Sequence, residues 1–321
     1  MPSLSFDLLL VAGSVLALWY GASAFVESAA RLARGVGVSD LVVGLTVVAA
    51  GTSTPELLVT LDAAVVGRTD IAVGNVVGSN VFNLGLLVGV VALVAPLPTT
   101  RTFVVRDGTA LVGATLLTTA LVADGRLGRL EGLALVALYA GYVAVLIRWD
   151  GGSSSAEADG SPETSSATVV ADRTFESHDL LRAVAGLAVL VVGAHLLVES
   201  AADLARLVGV SEWVIGATVV AVGTSTPELA TSLAASARGR HGVSAGNFVG
   251  SNVFNLLAAL GATAAIRPVS VTPDAWTGLL WLCGQMVVVV VLFRTGWRLS
   301  RPEGALLVVG TLAWWVASVA G

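Results

Sequence analysis

The segment AAGTSTPE at 49–56 returns as AVGTSTPE at 221–228, in both places inside a long apolar run. A glutamate deep in such a run is costly wherever water is excluded, so its double occurrence calls for a partner or a ligand. Ala49, Thr52, Ser53 and Glu56 stand at i−7, i−4, i−3 and i, forming one small, oxygen-bearing helix stripe. Gly51 and Pro55 loosen the helix there, since proline brings no N–H and clashes with the carbonyl four residues back, that of Gly51. Ala221, Thr224, Ser225, Pro227 and Glu228 repeat the pattern.

These segments belong to a longer duplication. A shift of 172 residues aligns Glu27–Leu84 with Glu199–Leu256 without a gap, and roughly two thirds of the positions are identical. The matched text includes GNVVGSNVFNL and GNFVGSNVFNL. Within it Asn75, Ser79 and Asn83, and again Asn247, Ser251 and Asn255, recur every four residues and share a helix face. Gly74, Gly78, Gly246 and Gly250 permit close helix approach. Asn80 and Asn252 point elsewhere and are expected to tie helices together by hydrogen bonds.

The 321-residue chain is 55% apolar and only 12% charged, with a mean hydropathy of +0.88, which makes the bilayer its solvent. Ten apolar spans are expected, at about 6–26, 41–65, 71–95, 103–122, 129–147, 180–198, 213–236, 243–265, 275–293 and 303–320. The expected fold is an all-α integral membrane protein: two five-helix repeats (1–149 and 179–321) around a flexible cytoplasmic linker (150–178). The linker reads GGSSSAEADGSPETSSAT in part and has almost nothing to bury. The first span has no basic n-region and has a counterpart at 180–198, which argues against a signal peptide.

Five spans per half is an odd number, so the second half enters the membrane from the opposite side and the repeat is inverted, with broken helices meeting near the midplane. Twelve arginines then fall on one side and five on the other. This predicts a multi-pass protein of the cell membrane with both termini outside and the linker in the cytoplasm. The eight tryptophans, several near span ends, read as interfacial anchors.

All 17 basic residues are arginine, so a Walker A lysine and a Schiff-base lysine are excluded. Cys283 stands alone and cannot form a disulfide within the chain. No nucleophile–base–orienter set appears, so an enzyme is not expected, nor is a cofactor or a nucleic-acid partner. The oligomeric state is left open and a monomer suffices. Two carboxylates, hydroxyls and loosened carbonyls with no thiolate or imidazole suit a hard cation such as Ca²⁺ or Na⁺. Among lesser candidates, Glu27 and Glu199 are expected to pair with loop arginines, His195 to pack with a hydrogen bond, and Asp62 lies on a different face from Glu56.

At these residues the sequence resembles the cation/calcium antiporter superfamily, and among its branches the prokaryotic sodium/calcium exchangers. The likeness spans nearly the whole chain and rests on both copies of G-T-S-x-P-E and G-N-x-x-G-S-N-x-F-[DN]. It implies that Glu56 and Glu228 bind Ca²⁺ centrally, aided by the Thr52 and Thr224 backbone and closed by Asn83 and Asn255. Ala49, Ser53, Ser79, Ala221, Ser225 and Ser251 would complete adjacent Na⁺ sites, with several Na⁺ exchanged for each Ca²⁺. One departure is that the position of Asn255 is often aspartate in sodium/calcium exchangers, which bears on stoichiometry, selectivity and any K⁺ requirement. A Ca²⁺/H⁺ or other cation/H⁺ antiporter using the same glutamates is the first rival, although that branch usually carries a further glutamate in the third and eighth spans. An amino-acid symporter would need an apolar side-chain pocket beside the ions. A channel fits two inverted halves poorly.

Overall fold

The computed structural model describes residues 4–35, 38–65, 67, 69–153, 177–207 and 221–320. Helix α1 (Leu4–Gly35) leads to α2 (Asp40–Thr52) and α3 (Thr54–Val65), which meet at a 44° bend. Then follow α4 (69–94), β1 (Leu97–Pro98), α5 (Phe103–Leu121), β2 (Arg126–Leu127) and α6 (Arg129–Ser153). The second half runs α7 (Ser177–Leu207), α8 (Ala221–Thr224), α9 (Thr226–Ala237), α10 (His241–Ile266), β3 (Val269–Ser270), α11 (Pro273–Arg294), β4 (Arg298–Leu299) and α12 (Arg301–Ala320). The 172-residue shift carries α3, α4, β1 and β2 onto α9, α10, β3 and β4.

Helices dominate because an apolar environment offers backbone groups no outside partner, and a helix satisfies them within one segment. Seven helices are long and apolar enough to cross a bilayer, and the bent pair α2–α3 makes an eighth among the described residues. The expected span at 213–236 begins outside the described residues and continues as α8 and α9. The expected span at 303–320 coincides with α12, whose 20 residues reach about 30 Å. In α4 and α10 78% of the apolar window is buried, against 17% in α6, so the first two form the centre and the last faces lipid.

The all-α expectation holds, with one small addition: among the described residues four two-residue strands form two antiparallel bridges, β1 with β4 (Leu97 opposite Leu299) and β2 with β3 (Leu127 opposite Val269). They arise where chain leaving a helix end is extended and its backbone groups find partners in the other half. Each bridge joins the two halves, and the two lie at opposite ends of α5 and α11. The same crossing recurs in helix packing. Gly89 of α4 meets Gly304 of α12, and Gly261 of α10 meets Gly132 of α6; a Cβ at either position of a pair would come within 3 Å of the facing backbone.

Among the described residues four π-turns interrupt the helices: Gly44–Val48, Asn83–Leu87, Phe103–Asp107 and Phe254–Ala259. Each widens the helix locally and shifts the side chains that follow. Two of them fall at Asn83 and Asn255, positions equivalent under the repeat.

Candidate cation site

Both helix breaks are built alike. Ser53 (φ −84°, ψ 9°) and Ser225 (φ −92°, ψ 5°) occupy the sparsely allowed bridge region between helix and strand. Pro55 and Pro227 have no N–H to return to the preceding turn. The hydroxyls of Thr54 and Thr226 instead donate to the Ala50 and Val222 carbonyls at 2.9 and 2.8 Å. Each break therefore starts a new helix whose first turn carries a glutamate, Glu56 in α3 and Glu228 in α9. That is where the helix dipole favours negative charge.

Both carboxylates are fully buried, and each is met from the other half. Ser53 Oγ donates to Glu228 Oε1 at 2.6 Å, and Ser225 Oγ donates to Glu56 Oε1 at 3.0 Å. The second oxygens, Glu56 Oε2 and Glu228 Oε2, have no hydrogen-bond partner among the described residues. The same holds for Ser79 Oγ, Ser251 Oγ, Asn255 Oδ1 and both polar side-chain atoms of Asn83, all buried. Buried polar atoms are normally paired, so two buried carboxylates that each keep one oxygen unpaired fit a ligand that accepts lone pairs. Among the described residues no group of three or more His, Cys, Asp or Glu side chains converges as a metal site. Oxygen chemistry with two carboxylates is what the site offers.

Other polar residues hold the frame. Asn75 Nδ2 donates to the Glu56 carbonyl at 3.2 Å and to Thr60 Oγ1 at 2.9 Å; Asn247 Nδ2 does the same to the Glu228 carbonyl at 3.1 Å and Ser232 Oγ at 2.9 Å. These amides brace the turns carrying the glutamates, so the two outer asparagines of the expected stripes are positioning residues. Thr52 Oγ1 lies 3.1 Å from the Val48 carbonyl and 3.2 Å from Asn247 Oδ1. The Ala49 carbonyl accepts the Ser53 N–H at 2.9 Å and the Thr52 hydroxyl at 3.4 Å. On the other side Ala221 opens α8 and Thr224 closes it.

Asn80 ties helices together as expected, but by turning toward Asn255 and not elsewhere: its Oδ1 accepts from Asn255 Nδ2 at 3.4 Å across the halves, which leaves Asn255 Oδ1 unpaired. Asn252 does not tie helices together, because its Nδ2 turns back onto the Phe248 carbonyl of its own helix at 2.5 Å. His195 is exposed on α7 and lines a cavity of about 360 Å³ with Thr54, Pro55, Gly223 and Thr224, next to both breaks. Glu27 does pair as expected, with Arg31, Arg182 and Arg238. The side chains of Glu199 and Asp62 lie outside the described residues.

One residue escaped sequence reasoning. Gln285 of α11 donates to the Val81 carbonyl at 3.2 Å and to Thr311 Oγ1 at 2.9 Å, bracing the π-turn that begins at Asn83. Gly85 makes room, since a Cβ there would stand 1.7 Å from Thr311 Oγ1 and 2.1 Å from Gln285 Nε2. The signal was a lone glutamine in an apolar span whose counterpart under the repeat is Gly113.

The family model described as sodium/calcium exchanger protein matches residues 6–148 and 178–319. The sodium/calcium exchanger MaX1 of Methanosarcina acetivorans is 33% identical over 330 residues, covering 92% of this chain and 93% of that one. The inner membrane protein YrbG of Escherichia coli is 30% identical over 308 residues, covering 95% and 94%. A structure of the sodium-calcium exchanger NCX_Mj soaked with 2.5 mM Na⁺ and 10 mM Sr²⁺ superposes with a TM-score of 0.80 at 28% identity, covering 99% of both chains.

Proposed function

The chain belongs to the sodium/calcium exchanger protein family, and from that premise we propose that it exchanges Ca²⁺ for Na⁺ at a site centred on Glu56 and Glu228. One observation carries the reading: two buried carboxylates, each anchored through one oxygen by a serine of the other half, each keep the second oxygen unpaired. Two negative charges balance one Ca²⁺. Asn83 and Asn255 close this central position, with the Thr52 and Thr224 carbonyls beside it. Ala49, Ser53, Ser79, Ala221, Ser225 and Ser251 contribute to flanking Na⁺ positions. Ca²⁺ and Na⁺ compete for the same carboxylates, so one ion set must leave before the other binds.

The reading includes ten spans in two inverted repeats, joined by a cytoplasmic linker between the end of α6 at Ser153 and the start of α7 at Ser177, closer bounds than the expected 150–178, with both termini outside the cell membrane. The two strand bridges support the inversion. Equivalent strands sit at opposite ends of α5 and α11, so the two-fold axis relating the halves runs across those helices instead of along them. Such an axis lies in the membrane plane.

Purified protein in liposomes loaded with Na⁺ is expected to take up radioactive Ca²⁺ when the Na⁺ gradient points outward, and not when only a proton gradient is imposed. Uptake driven by protons alone would overturn the sodium reading.

Asn255→Asp adds a third carboxylate beside Asn80 and raises the charge of the site. Several Na⁺ together gain more from that charge than one Ca²⁺ whose charge is already balanced. The apparent Na⁺ affinity is expected to rise about threefold to tenfold, or about 1 kcal/mol, with a smaller change for Ca²⁺. Competition titrations check this, and a sharp rise in Ca²⁺ affinity with Na⁺ affinity untouched would contradict it.

A further inference from the structure

A second charged feature involves neither glutamate. At the end where β1 pairs with β4, a cleft of about 800 Å³ is lined by Arg101 and Arg294, the apolar wall of Val104, Val105 and Val290, and Trp297. A neighbouring hollow of about 490 Å³ shares Arg101 and Val105 and is flanked by Trp149. Both Arg101 and Arg294 are exposed, and neither has an ion pair or hydrogen bond with another described residue. Arg106, by contrast, is committed to the buried Asp107 through two bonds of 2.8 and 3.1 Å.

The floor of the cleft is fixed. Thr99 donates its N–H to the Trp297 carbonyl at 2.9 Å and its hydroxyl to the Phe293 carbonyl at 3.0 Å. Two free guanidinium groups, one from each half of the chain, are thus rooted on one platform beside apolar walls. The repeat offers a control within the molecule. The 172-residue shift places Pro273 and Val122 where Arg101 and Arg294 stand, and Gly125 in the place of Trp297. The charge is therefore an addition at one end of the α5–α11 seam and not part of the duplicated frame.

Guanidinium groups bind phosphate in forked geometry, and apolar walls with a rim tryptophan suit an acyl chain at the bilayer interface. We propose that this cleft binds one anionic phospholipid, its phosphate held between Arg101 and Arg294 and its chain against Val105 and Val290. It lies at the arginine-rich end, which in the orientation given above faces the negatively charged cytoplasmic leaflet.

Native mass spectrometry of the purified full chain in detergent, with phosphatidylglycerol or phosphatidylcholine added, tests this. The unaltered protein is expected to retain one phosphatidylglycerol and no phosphatidylcholine. Occupancy should fall about tenfold in R101Q/R294Q, about threefold in either single variant, and not at all in R126Q, at the opposite end of the seam. Gel filtration checks folding; should the double variant aggregate, the single variants carry the test. Equal retention of the two lipids, undiminished retention in the arginine variants, or displacement of the lipid by millimolar inorganic phosphate would each overturn the assignment.

Discussion

Glu56→Gln and Glu228→Gln are each expected to lower sodium-driven Ca²⁺ uptake by about a hundredfold or more while leaving the protein folded. Glutamine keeps the shape of the side chain and keeps an oxygen that can accept from Ser225 or Ser53, so the cross-half bonds of 3.0 and 2.6 Å survive. What disappears is half of the negative charge in a fully buried site. Removing one partner of a buried ionic pair costs about 3 to 5 kcal/mol, which is about two to four orders of magnitude in affinity. Either variant should also lose calcium-dependent protection against thermal unfolding, since a ligand bound only by the native state stabilises it. Normal uptake in either variant would refute the assignment of the site. Ser53→Ala and Ser225→Ala should fall in between, at about 1 kcal/mol each, because each removes one hydrogen bond and no charge.

Gly246→Ala is expected to cost about 3 kcal/mol or more and to lower the melting temperature by about 10 °C. A Cβ at Gly246 would stand 2.4 Å from the Leu41 carbonyl oxygen and 2.7 Å from the Leu45 nitrogen, and both are backbone atoms of α2 that no rotamer change can move aside. Gly44 makes the reciprocal contact, its Cβ position lying 2.5 Å from the Val243 carbonyl. The contact joins α10 to the helix that ends in Ser53, so displacement there also moves the serine that anchors Glu228. Uptake should therefore fall together with stability. Gly284→Ala is the control: nothing lies within 4 Å of a Cβ there, and alanine is the better helix former, so stability should hold or rise slightly. A melting temperature unchanged in Gly246→Ala would show that α2 and α10 do not pack backbone to backbone.

Much of this was legible in the sequence, for particular reasons. Glu56 and Glu228 stood out because an ionisable group in an apolar run is costly, and because the cost was incurred twice with the same hydroxyls and proline around it. The close approach of Gly246 and Gly250 followed from small residues in a helical span; for Gly74 and Gly78 the equivalent neighbours fall in 208–220, outside the described residues. What could not be read was pairing across the halves. That Ser53 reaches Glu228 and not its own neighbour Glu56 depends on the relative register of two helix breaks, which no local pattern records. The π-turns at Asn83 and Asn255 were hidden for a similar reason. An extra residue in a helical turn is tolerated where tertiary partners such as Gln285 meet the displaced backbone, and those partners lie 204 residues away. Asn75 and Asn247 fitted the expected stripe, yet their amides are engaged by the first turns of α3 and α9.

The exchange of serine and glutamate between halves also bears on how the two copies can diverge. A substitution at Ser53 is felt first by Glu228, and one at Ser225 by Glu56, so neither copy can drift at these positions without disabling its sibling. Where a cluster is needed by one copy alone, the copies are free to part ways: Gln285 and Thr311 brace one π-turn, while Gly113 and Tyr139 stand at the matching places for the other, with Tyr139 packed edge-on against Phe254. Divergence between the repeats is thus a map of ownership. Identical positions mark what the two copies hold in common trust, and altered ones mark what each has made its own.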